Sequence, residues 1–139
     1  MLRLVLLAGA AALVPLPALA LSNAATYLLA QEVASACDGA SGRYDPTSVV
    51  ERDLDGDGRA DLLIAHEGIV CDGTGRSNEC GMMLCSFKIW LRRGELLTPA
   101  VDDLLGVKVV VGDGPTPEIR WLAHDGEPFS MRWNGSRFR

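Results

Sequence analysis

A chain of 139 residues with 18 acidic against 13 basic side chains carries a net charge of −5. That balance excludes the basic surface which phosphate-backbone and anionic-membrane binding require, and it suits solubility and a divalent cation. The length is that of one domain with a modest core.

The first residues, "MLRLVLLAGAAALVPLPALA", join one basic residue (Arg3) to an apolar run from Leu4 to Val14, then prolines, then Ala18-Leu19-Ala20. This is the layout of a secretory signal peptide over residues 1–20, cut before Leu21. The apolar run is shorter than the roughly 20 residues that a spanning helix needs. No cysteine stands beside the cut to carry a lipid, and no later stretch is long and apolar enough to span. Residues 21–139 are therefore expected as a single exported domain, periplasmic or secreted, without membrane insertion after cleavage. Arg3 leaves with the signal, which makes the mature chain more acidic still.

The four cysteines, Cys37, Cys71, Cys80 and Cys85, all fall after the cut. An even number in an oxidising compartment predicts disulfides throughout. A zinc site on Cys80 and Cys85 lacks a second close cysteine pair or paired histidines. Sequence leaves the pairing open; the short loop through Gly81 favours Cys80 with Cys85, and so Cys37 with Cys71.

Residues 23–37 place Ala25, Leu29, Val33 and Ala36/Cys37 at helical spacing, with Ser22 or Asn23 as N-cap and Gly39 just past the end. "DGASGRYDPT" then reads as a loop with Asp45-Pro46 starting a turn. Strands are expected at residues 49–52, 60–70, 86–92, 107–111, 118–123 and 129–133. In the third of these, Phe87, Ile89 and Leu91 alternate with a wetter face of Ser86, Lys88, Trp90 and Arg92. "VDDLL", residues 101–105, is expected as a short helical turn or a loop. "RRGE", "GDGP", "HDGE" and "NG" carry turn chemistry, and Asn134-Gly135 predicts a hairpin folding residues 136–139 back. The fold class is α+β, an N-terminal helix packed on an antiparallel sheet of about five to seven strands. Trp90, Trp121, Trp133, Phe129 and Phe138 are expected mainly in the core rather than as an exposed stripe for a sugar or peptide.

Between the first two strand candidates lies "DLDGDGRAD". With Asp53 at position 1, carboxylates stand at positions 1, 3, 5 and 9 (Asp53, Asp55, Asp57 and Asp61), and Gly58 at position 6. Like charges so close repel unless a cation relieves them. Calcium takes six to eight hard oxygens in flexible geometry, and alternating side chains of a curling loop can share one centre. Arg59 at position 7 would offer its backbone carbonyl, while Gly56 and Gly58 permit the positive φ of the curl. An EF-hand is excluded, because position 12, where its bidentate glutamate belongs, is Ile64.

The pattern D-x-D-x-D-G-x-x-D ahead of an apolar strand resembles the calcium loops of FG-GAP repeats in integrin-type β-propellers. That resemblance covers about residues 49–65 and implies Ca²⁺ held by the side chains of Asp53, Asp55, Asp57 and Asp61 and the carbonyl of Arg59. A single copy cannot close a propeller ring. The order of helix cysteine, calcium-type loop, "CDGTG" and "CGMMLC" also looks like a group of small exported bacterial proteins with no assigned function, which implies no activity.

Other constellations are weaker. His66-Glu67 lacks the second histidine of HExxH, since the fifth residue is Val70. His124-Asp125 sits in a turn, and no G-x-S-x-G elbow accompanies it. Residues 72–79 read as a disulfide-tethered surface loop. The expected function is a monomeric, non-catalytic calcium-binding module with a protein or glycan partner, or an envelope-associated role. Two rivals remain: a small metal-dependent hydrolase gathering His66, Glu67 and His124 around the acidic loop, and a periplasmic enzyme inhibitor presenting residues 72–79.

Overall fold

The computed structural model describes residues 20–139, so the expected signal segment, Ala20 excepted, lies outside the described residues. Helix α1 (Asn23–Ala36) starts where Ser22 Oγ accepts the Ala25 amide at 3.2 Å, satisfying one of the orphan donors of the first turn. It stops as expected: Gly39, at φ +79°, donates its N–H back to the Ala34 carbonyl. The buried face is Ala25, Leu29 and Ala36, with Val33 partly buried beside them.

The strands are β1 (Gly42–Tyr44), β2 (Val49–Arg52), β3 (Asp61–Ala65), β4 (Ile69–Cys71), β5 (Cys85–Arg93), β6 (Leu96–Val111), β7 (Ile119–Leu122) and β8 (Pro128–Met131). Six of them form one antiparallel sheet in the order β2-β3-β5-β6-β7-β8, and β1 pairs with β4 in a second, small antiparallel sheet. The α+β expectation holds.

Three details depart from the expected elements. The run 60–70 is not one strand: a 3-10 turn at His66–Gly68 sends β3 and β4 into different sheets. The turn nests against Pro46–Ser48, so closely that a Cβ on Gly68 would sit 2.1 Å from Ser48 Oγ. "VDDLL" is neither helical turn nor loop but part of β6, because Val101 pairs with Ile89 and Leu104 with Phe87, while Asp102 and Asp103 are exposed in the bulge between them. Strand β1 arises inside the expected loop, its Gly-Arg-Tyr sequence having no alternation of its own. It exists because β4 offers it a partner beside α1.

Two apolar clusters lie on opposite faces of β3 and β5. Leu62, Ile64 and Trp90 meet α1 and Ile69. Leu63, Ala65, Phe87, Ile89 and Leu91 meet Leu54, Ile119, Trp121 and Met131. The face of β5 expected to be wetter is thus the face that the helix covers: Ser86 is buried there and Lys88 and Arg92 are partly buried. Strand β6 pairs with β5 up to Gly106 and with β7 from Val107 on, and Lys108, at φ +54°, sits in the irregularity of the β7 pairing between Val107 and Val110. Trp121 packs so tightly on β6 that a Cβ on Gly106 would lie 2.3 Å from its ring. Trp90 and Trp121 are core residues as expected, whereas Phe129 stacks on Trp121 at 5.9 Å and stays half exposed. The C-terminal hairpin also forms, with Arg132 and Arg139 exchanging backbone hydrogen bonds at 2.9 and 3.0 Å.

Cys37 is bonded to Cys71 and Cys80 to Cys85, the pairing that the short Gly81 loop favours. The first bridge ties the end of α1 to β4; the second closes the turn leading into β5. Maleimide labelling of the denatured, unreduced protein should therefore find no thiol. Label on a chain recovered from an oxidising compartment would contradict both bridges.

Candidate metal centre

The loop between β2 and β3 is built by its aspartates. Asp53 Oδ1 accepts the amides of Gly56 (2.7 Å) and Asp55 (3.2 Å), and its Oδ2 accepts that of Gly58 (2.8 Å). Asp55 Oδ1 accepts the Asp57 amide at 3.2 Å, and Asp57 Oδ1 the Arg59 amide at 2.9 Å. Each side chain mimics a backbone turn two residues on, which is one local reason for an aspartate at every second position. Gly56 and Gly58 take the expected positive φ, +82° and +80°.

Asp61 opens β3 and is fully buried. Its Oδ2 accepts the Leu54 amide at 2.8 Å and its Oδ1 the Arg92 amide at 2.7 Å. Burial pushes this carboxyl above its usual range; the two amides pull against that, and the charges of Asp55 and Asp57 push it further up.

Carboxylate oxygens of Asp53, Asp55 and Asp61 lie within 4.8 Å of one another. That is the spread that one ion spans with oxygen bonds of about 2.4 Å. The donor set is all oxygen, which suits a hard cation and fits Ca²⁺. Asp57 lies outside this trio. It pairs with Arg59 at 3.0 Å and with Arg93 at 3.5 Å, and the Arg59 amide, outweighing slight desolvation, holds its carboxyl below the usual value. The Arg59 side chain sits at the exposed tip.

Arg93 is the residue that sequence reasoning missed. From the end of β5 its Nη2 reaches Asp55 Oδ2 at 2.9 Å, on a side chain only 4% exposed. Arg52, a nearer candidate for offsetting the acidic loop, instead donates to the carbonyls of Gly112 and Gly114 at 2.8 and 2.6 Å.

A second charged cluster lies beneath α1. His66 is fully buried, with Nδ1 3.0 Å from Ser77 Oγ and Nε2 3.0 Å from Glu32 Oε2. Lys88 Nζ bridges Glu32 Oε2 at 3.0 Å and Glu79 Oε1 at 3.1 Å, and Ser86 Oγ donates to Glu79 Oε2 at 2.6 Å. Glu32, His66 and Glu79 have a metal-like spacing. The ammonium of Lys88, however, already supplies the positive charge there. Burial works to raise the Glu32 and Glu79 carboxyls. For Glu32 the bonds from His66 and Lys88 outweigh it, and for Glu79 those from Ser86 and Lys88, so both are held below the usual range. Burial likewise works to lower Lys88, and the same two carboxylates raise it overall.

The trio His66, Glu67 and His124 does not converge. His66 belongs to the buried network; Glu67 Oε1 accepts the Val109 amide at 3.1 Å; His124 is exposed and paired with Asp125 at 2.9 Å. The loop 72–79 is anchored at its far end, where Asn78 Nδ2 donates to Ser35 O and to Asp38 Oδ1 at 3.0 and 2.7 Å, while residues 72–76 are exposed. No family model, no curated protein and no solved structure matches the chain, so the reading of these sites rests on their own geometry.

Proposed function

We propose that the chain is an exported, disulfide-stabilised calcium-binding domain with a non-catalytic binding or envelope-associated role, monomeric, acting on a protein or glycan partner. The observation that carries the calcium reading is the convergence of the Asp53, Asp55 and Asp61 carboxylates at the base of a loop that resembles the FG-GAP type. In this reading Asp57 and the Arg59 carbonyl complete the shell, and Arg93 offsets part of the loop charge when the ion is absent. Two disulfides support export. No helix of the described residues is long and apolar enough to cross a membrane. The non-catalytic reading is supported by the engagement of His66 in a buried, fully bonded network rather than in a cleft with Glu67 and His124.

Calcium should stabilise the fold without being needed for it. With no bidentate glutamate in the loop, a dissociation constant on the order of 0.1–1 mM is expected, that of extracellular modules. At ~1 mM free Ca²⁺ and the tighter limit, linkage gives about 1.4 kcal/mol. In a domain this size that is a melting shift of roughly 4–8 °C. Mg²⁺ should do less, because it demands a smaller octahedral shell. Asp55→Asn with Asp57→Asn keeps the turn-forming oxygens but removes charge, and should abolish the shift while leaving the fold intact. Identical melting of wild type and this variant from calcium-free buffer up to ~10 mM Ca²⁺, well above the expected dissociation constant, would sink the calcium reading.

A further inference from the structure

A different part of the surface gathers soft donors instead of hard ones. All four cysteines are consumed by disulfides. Among the described residues, Met131 and His66 are buried in the fold. The thioethers and imidazole that remain accessible are those of Met82, Met83 and His124, and all of them line one cavity of about 340 Å³ completed by Gly81, Leu84 and Leu105. Met82 is 96% exposed and Met83 55%. Both stand on the turn that Cys80–Cys85 closes, so the bridge holds two large apolar side chains out of the core.

His124 is prepared for coordination. Its Nδ1 lies 2.9 Å from Asp125 Oδ1, so Nδ1–H is the donor to the carboxylate and Nε2 is the ring nitrogen that would face a metal. A carboxylate behind an imidazole is the arrangement that orients a metal-binding histidine and raises its basicity. Asp125 itself adopts φ +66°, an uncommon conformation for a non-glycine residue.

We propose that Met82, Met83 and His124 form a binding site for a soft monovalent d¹⁰ cation of the Cu(I) class. Thioether sulfur and imidazole nitrogen select such ions, whereas Ca²⁺ and Mg²⁺ favour the oxygens of the acidic loop. The ligand set is neutral, which matches a single positive charge, and Leu84 and Leu105 supply an apolar wall beside it. The site is independent of the calcium reading and shares no residue with it.

Silver(I), soft and redox-inert, is the probe, read by the ¹³C-methyl signals of the methionines in the disulfide-bonded protein. One equivalent should saturate the site, shifting the methyls of Met82 and Met83 and leaving that of core Met131 in place. Met82→Leu with Met83→Leu changes exposed side chains, so it should melt like wild type yet show no saturable silver binding. His124→Ala and Asp125→Asn should each weaken binding about tenfold or more. Cu(I) should compete with silver, and Ca²⁺ in excess should not. Saturable binding that persists in the double-leucine variant, indifference to both His124→Ala and Asp125→Asn, or a shift of Met131 equal to the others would overturn the proposal.

Discussion

Replacing Lys88 by methionine should cost about 3 kcal/mol of stability at neutral pH, because it leaves two partly buried carboxylates without their cation. The Lys88 side chain is 13% exposed and touches both Glu32 and Glu79, which also hold His66 and Ser86 in place. Removing Glu32 as well, as the Glu32→Gln/Lys88→Met double variant, should recover part of the loss, since an unpaired buried charge is worse than none. The pH dependence follows from the directions of the shifts. Glu32 and Glu79 are held below their usual 4.5, so the stability they contribute is fully present above about pH 4.5 and is lost as pH falls further. Lys88 is held above 10.5, so its contribution is present below that pH and is lost as pH rises through the folded value. The loss in Lys88→Met should therefore be largest between these limits and shrink toward both ends. Urea unfolding across that range is the measurement; a gap that stays constant at all pH values would mean that the methionine acts through packing alone.

What the sequence made legible was local. The helix could be read from an apolar spacing, a serine cap and a glycine stop that all lie within one stretch of chain. The acidic loop could be read because turn formation and metal ligation ask for the same aspartates at the same alternate positions. What stayed hidden is what tertiary packing decides. Arg93 meets Asp55 from 38 residues away, and Lys88 meets Glu32 from 56. No periodicity announces such partners. The polar face of β5 looked wet because alternation reports chemistry, not cover; α1 buries it and turns Lys88 and Ser86 into interior groups. Strand β6 was underestimated for a related reason: Asp102, Asp103 and Gly106 break the strand pattern, yet the pairing with β5 continues past them, with the two aspartates taken up in a bulge between Val101 and Leu104 and Gly106 paired with Cys85. Strand β1 has almost no propensity and depends on β4.

Asp61→Ala should be the most damaging single change in the loop, with a loss of about 4 kcal/mol even in calcium-free buffer. Asp61 fills two needs of the fold before any ion is considered. Its oxygens satisfy the amide of Leu54, a fully buried member of the second apolar cluster, and the amide of Arg92 on the neighbouring strand β5. Alanine orphans both donors, each at a cost of roughly 1–3 kcal/mol. An asparagine in this place would keep one acceptor but set its carboxamide NH2, a donor, against the other N–H, so Asp61→Asn should lose about half as much. These losses separate the structural role from the metal role. Asp55→Asn alters an ion-paired side chain that accepts one loop amide, an oxygen that asparagine retains, so it should forfeit the calcium increment and little else. Asp61→Ala should forfeit the calcium increment and the apo stability together. Denaturant unfolding of both variants with and without calcium resolves the two contributions. If Asp61→Ala were as stable as wild type without calcium, the two amide bonds would contribute nothing, and the account of how β3 and β5 are locked at their loop end would have to be abandoned.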